Sequence, residues 1–174
     1  MKKKLYFLFS VIFIILVIGG VIFYNKKDIR NEFLKSLISP KTYEEVPSDT
    51  TDLEKIVQKY ESVFGKHLNQ NGLDSLLAAR LPYTYQKFIE ANEIDKVKNI
   101  QLNELKHSNE KDYIYSYYEL IYTYESKGKE ISMKDYFVIY LIDENGKEKI
   151  NEVACIPAES SIYRLSAEMF KNND

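Results

Sequence analysis

The sequence predicts an α+β protein in which an N-terminal transmembrane helix precedes three helices packed on a curved four-stranded antiparallel sheet. Three observations support this prediction: an uncharged apolar run near the N-terminus, apolar residues at helical spacing up to about residue 92, and alternation with a period of two from residue 97 onward. Because the strands follow one another without intervening helices, we expect a meander of hairpins and exclude a doubly wound parallel sheet.

The apolar run at residues 5–24, LYFLFSVIFIILVIGGVIFY, contains no charged side chain. As a helix rising about 1.5 Å per residue it matches the roughly 30 Å hydrocarbon core, so we expect a single-pass anchor in the lipid bilayer. A cleaved signal peptide is disfavoured, because the run is longer than the usual apolar region and no A-x-A-like site follows it. Basic residues flank both ends almost equally. The short tail of Lys2, Lys3 and Lys4 favours a cytoplasmic N-terminus and an extracytoplasmic C-terminal domain.

The chain is expected to divide into a cytoplasmic tail and transmembrane anchor (1–24), a juxtamembrane stalk and linker (25–51), and an extracytoplasmic α+β domain (52–174). Ile29, Phe33 and Leu37 recur at helical spacing until Pro40, which predicts an amphipathic stalk that continues the membrane helix. The prolines and turn-forming residues of 39–50 predict a linker.

Three helices are expected at the start of the domain. Thr51 and Glu54 have the spacing of a capping box, and the apolar stripe behind them continues to a stop signal at Asn69–Gly72. The other two helices are expected at Leu73–Leu81 and Tyr83–Asn92. The tail after Ala158 has Ile162, Leu165 and Met169 at helical spacing, and whether it forms a short terminal helix stays open.

Four strands are expected after the helices, with hairpin signals at Gly128 and at the Asn145-Gly146 pair. The expected strands are Val97–Lys106, Tyr113–Ser126, Glu130–Asp143 and Lys147–Ile156.

Composition excludes several kinds of chemistry. The formal net charge of −2, which becomes more negative without the three N-terminal lysines, is unfavourable for binding nucleic acid. Cys155 is the only cysteine, so neither an intrachain disulfide nor a cysteine-built zinc site is possible. His67 lies on an apolar helical stripe and His107 beside a turn, and no carboxylates accompany them at metal-binding spacing. We therefore expect no metal and no cofactor.

The order of helices and strands, together with the tyrosine-rich strand YIYSYYELIYTYE, resembles the nuclear transport factor 2-like, or cystatin-like, superfamily over about residues 52–157. With an N-terminal anchor, the layout is similar to the assembly component of type IV secretion and conjugation systems, which implies an interaction scaffold. The Asn-Pro-x-Gly motif of that family is matched only in spacing, by Asn69 and Gly72.

Alternation assigns the two faces of the central strands. The expected core face carries Ile114, Tyr118, Leu120, Tyr122, Tyr124, Phe137, Ile139 and Leu141. The opposite face carries Tyr115, Tyr117, Tyr136 and Tyr140, which we call the tyrosine face. Tyrosine combines a large contact area with a polar tip and is enriched at protein interfaces, so this face is the candidate interface. The competing explanation is that cross-strand tyrosine pairs stabilise the sheet and bind nothing.

Three functions remain open at this point. The first is a membrane-anchored extracytoplasmic interaction or scaffold module of a bacterial cell envelope, without catalytic activity, which binds a protein partner or a second copy of itself. The abundance of lysine, isoleucine, asparagine and tyrosine is typical of AT-rich bacterial genomes. The second is a module that binds a small apolar ligand in the cone between sheet and helices. The third is a small enzyme that uses Asp135 with Tyr118 or Tyr122 in that cone.

Overall fold

The computed structural model describes residues 28–44, 46, 53–109 and 113–171 of the 174-residue chain. Within these ranges the helices are α1 Ile29–Ile38, α2 Pro40–Tyr43, α3 Leu53–Phe64, α4 Gln70–Ala78, α5 Leu81–Ala91 and α6 Ser161–Lys171. The strands are β1 Lys96–Asn109, β2 Ile114–Ser126, β3 Lys129–Glu144 and β4 Lys147–Cys155.

The four strands form one antiparallel sheet in the order β1-β2-β3-β4, so the predicted meander of hairpins is present. Strands β2 and β3 pair without interruption from Ile114 opposite Leu141 to Ser126 opposite Lys129. Their two-residue turn places Lys127 at a φ of 49° and Gly128 at a φ of 79°. Two successive positive φ angles match the right-handed twist of a hairpin, which is why a glycine is placed here.

The regular pairing of β2 and β3 keeps the two sheet faces separate. The even-numbered residues of β2 from 116 to 124 and the odd-numbered residues of β3 from 133 to 141 are buried. The predicted core face is confirmed for its four aromatic residues, which are at most 2% exposed: Tyr118, Tyr122, Tyr124 and Phe137. The side chains of opposite parity are for the most part partly exposed or exposed.

The helices pack on the core face, and large side chains fill the space between the two layers. The fully buried aromatic residues are Phe33, Phe64, Tyr85, Tyr122, Tyr124 and Phe137. The cone expected for a ligand-binding module is therefore occupied by the protein's own aromatic rings.

Helix α4 lies unusually close to β4. A Cβ atom on Gly72 would stand 2.2 Å from the carbonyl oxygen of Ile150, so only glycine permits this approach. Asn69 caps the helix, since its Oδ1 accepts a hydrogen bond from the backbone N–H of Gly72 at 2.9 Å. The Asn and Gly that matched the family motif in spacing thus have a local structural role in this chain.

The predicted fold class is wrong in its helical part. Three helices were expected on the sheet, whereas the described residues form six. Helix α1, expected as a stalk outside the domain, buries Phe33, Leu34, Leu37 and Ile38 completely in the core. The amphipathic spacing predicts that one helix face is covered but not what covers it, and here the covering surface is the protein itself.

Two further helices add to the three expected at the start of the domain. One lies in the expected linker, and the other lies in the tail, where a helix was left open. Helix α2 starts at Pro40 in the expected linker, because proline is well suited to the first helical position. Helix α6 forms from the tail.

None of the helices in the described ranges is long and apolar enough to cross a membrane. The predicted transmembrane helix falls on residues 5–24, which lie outside the described residues. The fold class that the structure supports is α+β, with six helices and one four-stranded antiparallel sheet in the described part of the chain.

The sheet edges are protected against the addition of another strand. On β4, the backbone N–H of Ile150 donates to the carbonyl of His67, and the N–H of Asn69 donates to the carbonyl of Ile150, both at 3.0 Å. Where β4 has ended, Ser160 and Ser161 accept from backbone N–H groups of β3 at 3.0 and 3.1 Å. The edge strand β1 carries two register shifts, which disrupt strand pairing along an edge.

Candidate protein interface on the outer sheet face

The structure brings the four predicted tyrosines together as two stacked pairs. Tyr115 lies directly opposite Tyr140, with ring centroids 5.7 Å apart and planes at 29°. Tyr117 and Tyr136 pair diagonally, with centroids 5.9 Å apart and planes at 26°. All four side chains are partly exposed. The pairing follows from the uninterrupted register of β2 and β3, since residues on one face lie close enough for aromatic side chains to meet.

A charged network fixes one end of the tyrosine face. Glu119 accepts hydrogen bonds from the Tyr136 hydroxyl at 3.0 Å and from the Asn103 amide at 3.0 Å, and it pairs with Lys134 at 2.9 Å. The hydrogen bond from Lys134, followed by those from Asn103 and Tyr136, lowers the pKa of Glu119 to about 2. Glu119 is therefore ionised throughout the physiological range and holds Tyr136 in one orientation.

The ring faces are largely used within the protein. Each stacked pair covers one face of its rings, and lysine side chains approach others. The ammonium group of Lys106 lies 5.6 Å from the centroid of Tyr115, and that of Lys134 lies 5.9 Å from the centroid of Tyr136. The surface therefore presents ring edges and hydroxyl groups. That arrangement suits contact with a polypeptide better than stacking on a flat sugar or base.

Two further residues contribute to this face and are absent from the four predicted interface residues: Tyr113 and Lys106. Tyr113 is 44% exposed and its ring lies 6.0 Å from that of Tyr140. Its odd number placed it on the same face, so the signal was available. Lys106 reaches the face because β1 shifts its register between Glu104 and Lys106, and nothing in the sequence indicates this shift.

The suggested acid–tyrosine pair is partly assembled, but deep in the core. The Tyr122 and Tyr85 hydroxyls donate to Oδ2 of Asp135 at 2.6 and 2.7 Å, and the backbone N–H of Ile162 donates to Oδ1 at 2.9 Å. Asp135 is 0% exposed, and burial raises its pKa against the opposing effect of these hydrogen bonds. Burial also raises the pKa of both tyrosines well above the ordinary value.

The position of this cluster favours a structural role. Asp135 receives the first turn of α6 and joins that helix to β2 and α5. Tyr118 does not take part, because its hydroxyl donates to Glu104 at 3.1 Å. Tyr85 was not among the candidates, since its helix lies 50 residues from Asp135 in the chain.

His67 is buried beside an open groove of about 500 Å³, which is also lined by Glu32, Lys66, Asp143 and Lys147. Burial, with a smaller contribution from Lys66, lowers the pKa of His67 to about 4. Among the residues that the structure describes, none forms a hydrogen bond with its Nε2. In the part of the chain that the structure describes, no group of three or more potential ligands could hold a metal ion.

His107 contacts two polar side chains through one ring nitrogen. Nδ1 lies 2.9 Å from Oγ of Ser116 and 3.1 Å from Glu104. In a catalytic triad the serine and the orienting acid contact opposite ring nitrogens of the histidine base, whereas here both contact Nδ1. Ser116 is also only 1% exposed. The cluster therefore lacks the geometry for nucleophilic catalysis and connects β1 to β2.

The fold and the site together define the chain as an α+β protein with an aromatic, partly exposed outer sheet face. No protein-family model matches the chain, and neither the curated proteins nor the solved structures give a match. The resemblance to the nuclear transport factor 2-like superfamily thus stays a prediction.

Proposed function

We propose that the protein is an interaction module held at the outer side of a bacterial cell membrane, where it binds another protein through the tyrosine face. The observation that carries this proposal is the pair of tyrosine stacks, Tyr115 with Tyr140 and Tyr117 with Tyr136, which are ordered and yet partly exposed.

The order of the stacks favours binding. A side chain that loses rotamer freedom on association costs about 0.5–1.5 kcal/mol, and rings already held by stacking lose less. Glu119 adds to this order by fixing the Tyr136 hydroxyl. The face thus offers a large, rigid contact area with polar tips, which is the composition typical of the centre of a protein interface.

Attachment to the membrane is assigned to the uncharged segment 5–24. Helix α1 begins at Ile29, close behind this segment in the chain, and its first turn lies beside the β3–β4 hairpin, since both line the groove next to His67. The end of the sheet that carries this hairpin would then face the lipid. The tyrosine face starts at Tyr140, four residues before β3 ends at this hairpin, and extends along the strands away from the lipid toward Tyr117 and Tyr136.

Site-specific photo-crosslinking tests the proposal. A photoreactive phenylalanine analogue replaces Tyr140 in the full chain in its native membrane, and the matched control carries it at Tyr83, which is 47% exposed on α5. We expect protein crosslinks from position 140 but not from position 83, and their loss when Tyr115→Ser is added. Equal crosslinking at both positions, or none at 140 in a folded protein, would overturn the proposed function.

A further inference from the structure

We propose that the occupant of the tyrosine face is a second copy of this chain, related to the first by a two-fold axis parallel to strands β2 and β3. This inference rests on the proposed function, because it requires the tyrosine face to be a protein interface.

The charges beside the tyrosines have opposite signs on opposite sides. Lys106 on β1 is paired with Tyr117 in the register, and Glu152 on β4 is paired with Tyr140. Both charged side chains are exposed. The face therefore has a basic side toward β1 and an acidic side toward β4, with the aromatic stacks between them.

A two-fold axis parallel to the strands makes this arrangement complementary to itself. It places β1 of one copy over β4 of the other, with the two sheets about 10 Å apart and their strands within about 30° of each other. Directly across the sheet from Lys106, the paired residues are Tyr117, Val138 and, on β4, Ala154, so Lys106 of one copy lies over Ala154 of the other. Glu152 is two residues from Ala154 on the same strand, roughly 7 Å away, which is within reach of a lysine. Because the contact is isologous, this pairing of Lys106 with Glu152 occurs twice.

The same operation matches the aromatic residues. Tyr115 and Tyr140 share one row across β2 and β3, so Tyr115 of one copy faces Tyr140 of the other. Their ring edges and hydroxyls meet across the interface, since the ring faces already contact each other within each copy.

The other ways of pairing two sheets are less favourable. The β4 edge is covered at Ile150 by residues 67–69, so a strand added there would have to break existing hydrogen bonds. The two register shifts of β1 interrupt the regular edge that strand addition needs. The face itself measures roughly 14 Å across four strands and about 20 Å from Tyr113 to Glu119. This is about 280 Å² per copy, well below the roughly 800 Å² per partner of a standard stable interface, so we expect a weak, concentration-dependent dimer that depends on attachment of both copies to one membrane.

Charge reversal provides a sharp test. Full-length chains carrying a donor or an acceptor fluorophore at the C-terminus are mixed in lipid vesicles, and energy transfer reports their association. Lys106→Glu alone and Glu152→Lys alone each place like charges together twice, and each should weaken association roughly tenfold. Mixing the two variants restores both pairs and should restore the energy transfer. Lys129→Glu, in the hairpin at the opposite end of the sheet, should change nothing.

The outcomes separate this inference from the proposed function. Unchanged association of both single variants, or no recovery on mixing while melting temperatures stay normal, would overturn pairing between two copies. If crosslinks from position 140 then still lead to a different protein, the proposed function stands and only its partner changes. If position 140 gives no crosslink at all, both proposals fail.

Discussion

Tyrosines occur on both faces of β2 and β3, and the two sets differ in what their hydroxyls meet. On the core face, Tyr122 and Tyr124 are 0% exposed and donate to Asp135 and to the carbonyl of Ile38. On the outer face, Tyr117 and Tyr136 are partly exposed and donate to surface glutamates. Tyrosine thus contributes to the core or to the surface, depending on which side of the strand it lies on. Substitutions on the core face should mainly lower stability, whereas substitutions on the outer face should mainly weaken binding.

The largest effect is expected from removing the cover of the core face. A fragment starting at residue 52 lacks α1 and with it four completely buried side chains, Phe33, Leu34, Leu37 and Ile38. At about 1.5–3 kcal/mol each, their loss removes roughly 6–12 kcal/mol, which is comparable to the whole stability of a domain. We expect this fragment to be unfolded by circular dichroism, whereas a fragment starting at residue 28 should melt cooperatively. Equal melting curves would show that α1 is dispensable.

Asp135 tests how much the core-face tyrosines depend on their acceptor. Asp135→Ala leaves two buried hydroxyls and the backbone N–H of Ile162 without a hydrogen-bond acceptor. We therefore expect the free energy of unfolding in urea to fall by roughly 3–5 kcal/mol. Asp135→Asn keeps one acceptor oxygen and should cost less. Should Asp135→Ala cost under about 1 kcal/mol, the cluster would not be holding α6 to the sheet.

The sequence was sufficient to predict the faces of the central strands. Because β2 and β3 pair without a register shift, side chains alternate between the two faces along their whole paired length. Assigning one residue to a face therefore assigns all the others. The burial of Asp135 also follows from alternation, because Asp135 lies on the same face of β3 as Met133 and Phe137, which are buried.

The remaining features depend on contacts between distant segments. The pattern of α1 is compatible with any apolar partner, so it could not indicate that the core of the same domain covers it. Tyr85 is joined to Asp135 across 50 residues, and no local spacing predicts that contact. Lys106 depends on a register shift, which arises from the competition between pairing and twist along an edge strand.

His67 should make stability depend on pH. Its pKa is lowered to about 4 in the folded protein, below the ordinary value of about 6.5, so folding favours the neutral ring. The stabilisation is complete above about pH 6.5 and is lost as the pH falls toward 4, by roughly 1–3 kcal/mol. His67→Gln and His67→Phe should both flatten the fall in unfolding free energy between pH 7 and pH 5. If both variants keep the full slope, other groups cause it.

The smallest effect on stability is expected on the tyrosine face. Changing Tyr115 and Tyr140 together to serine removes one stack, which is worth about 0.5–1.5 kcal/mol, from positions that are already partly exposed. The double variant should therefore stay folded in urea titrations and lose most of the crosslinks from an analogue placed at Tyr117. The matched change on the core face is Tyr118→Ser, which leaves a cavity at a position 2% exposed and should cost roughly 3–5 kcal/mol.

The two measurements on this pair of variants are informative only together. A stable double variant that has lost its crosslinks separates binding from folding and places the interface on the outer face. A double variant that unfolds as readily as Tyr118→Ser would show instead that the stack of Tyr115 and Tyr140 is part of the sheet's own stabilisation. The stack would then hold β2 against β3 and leave nothing to measure as binding, and the difference between the two faces would be one of exposure alone.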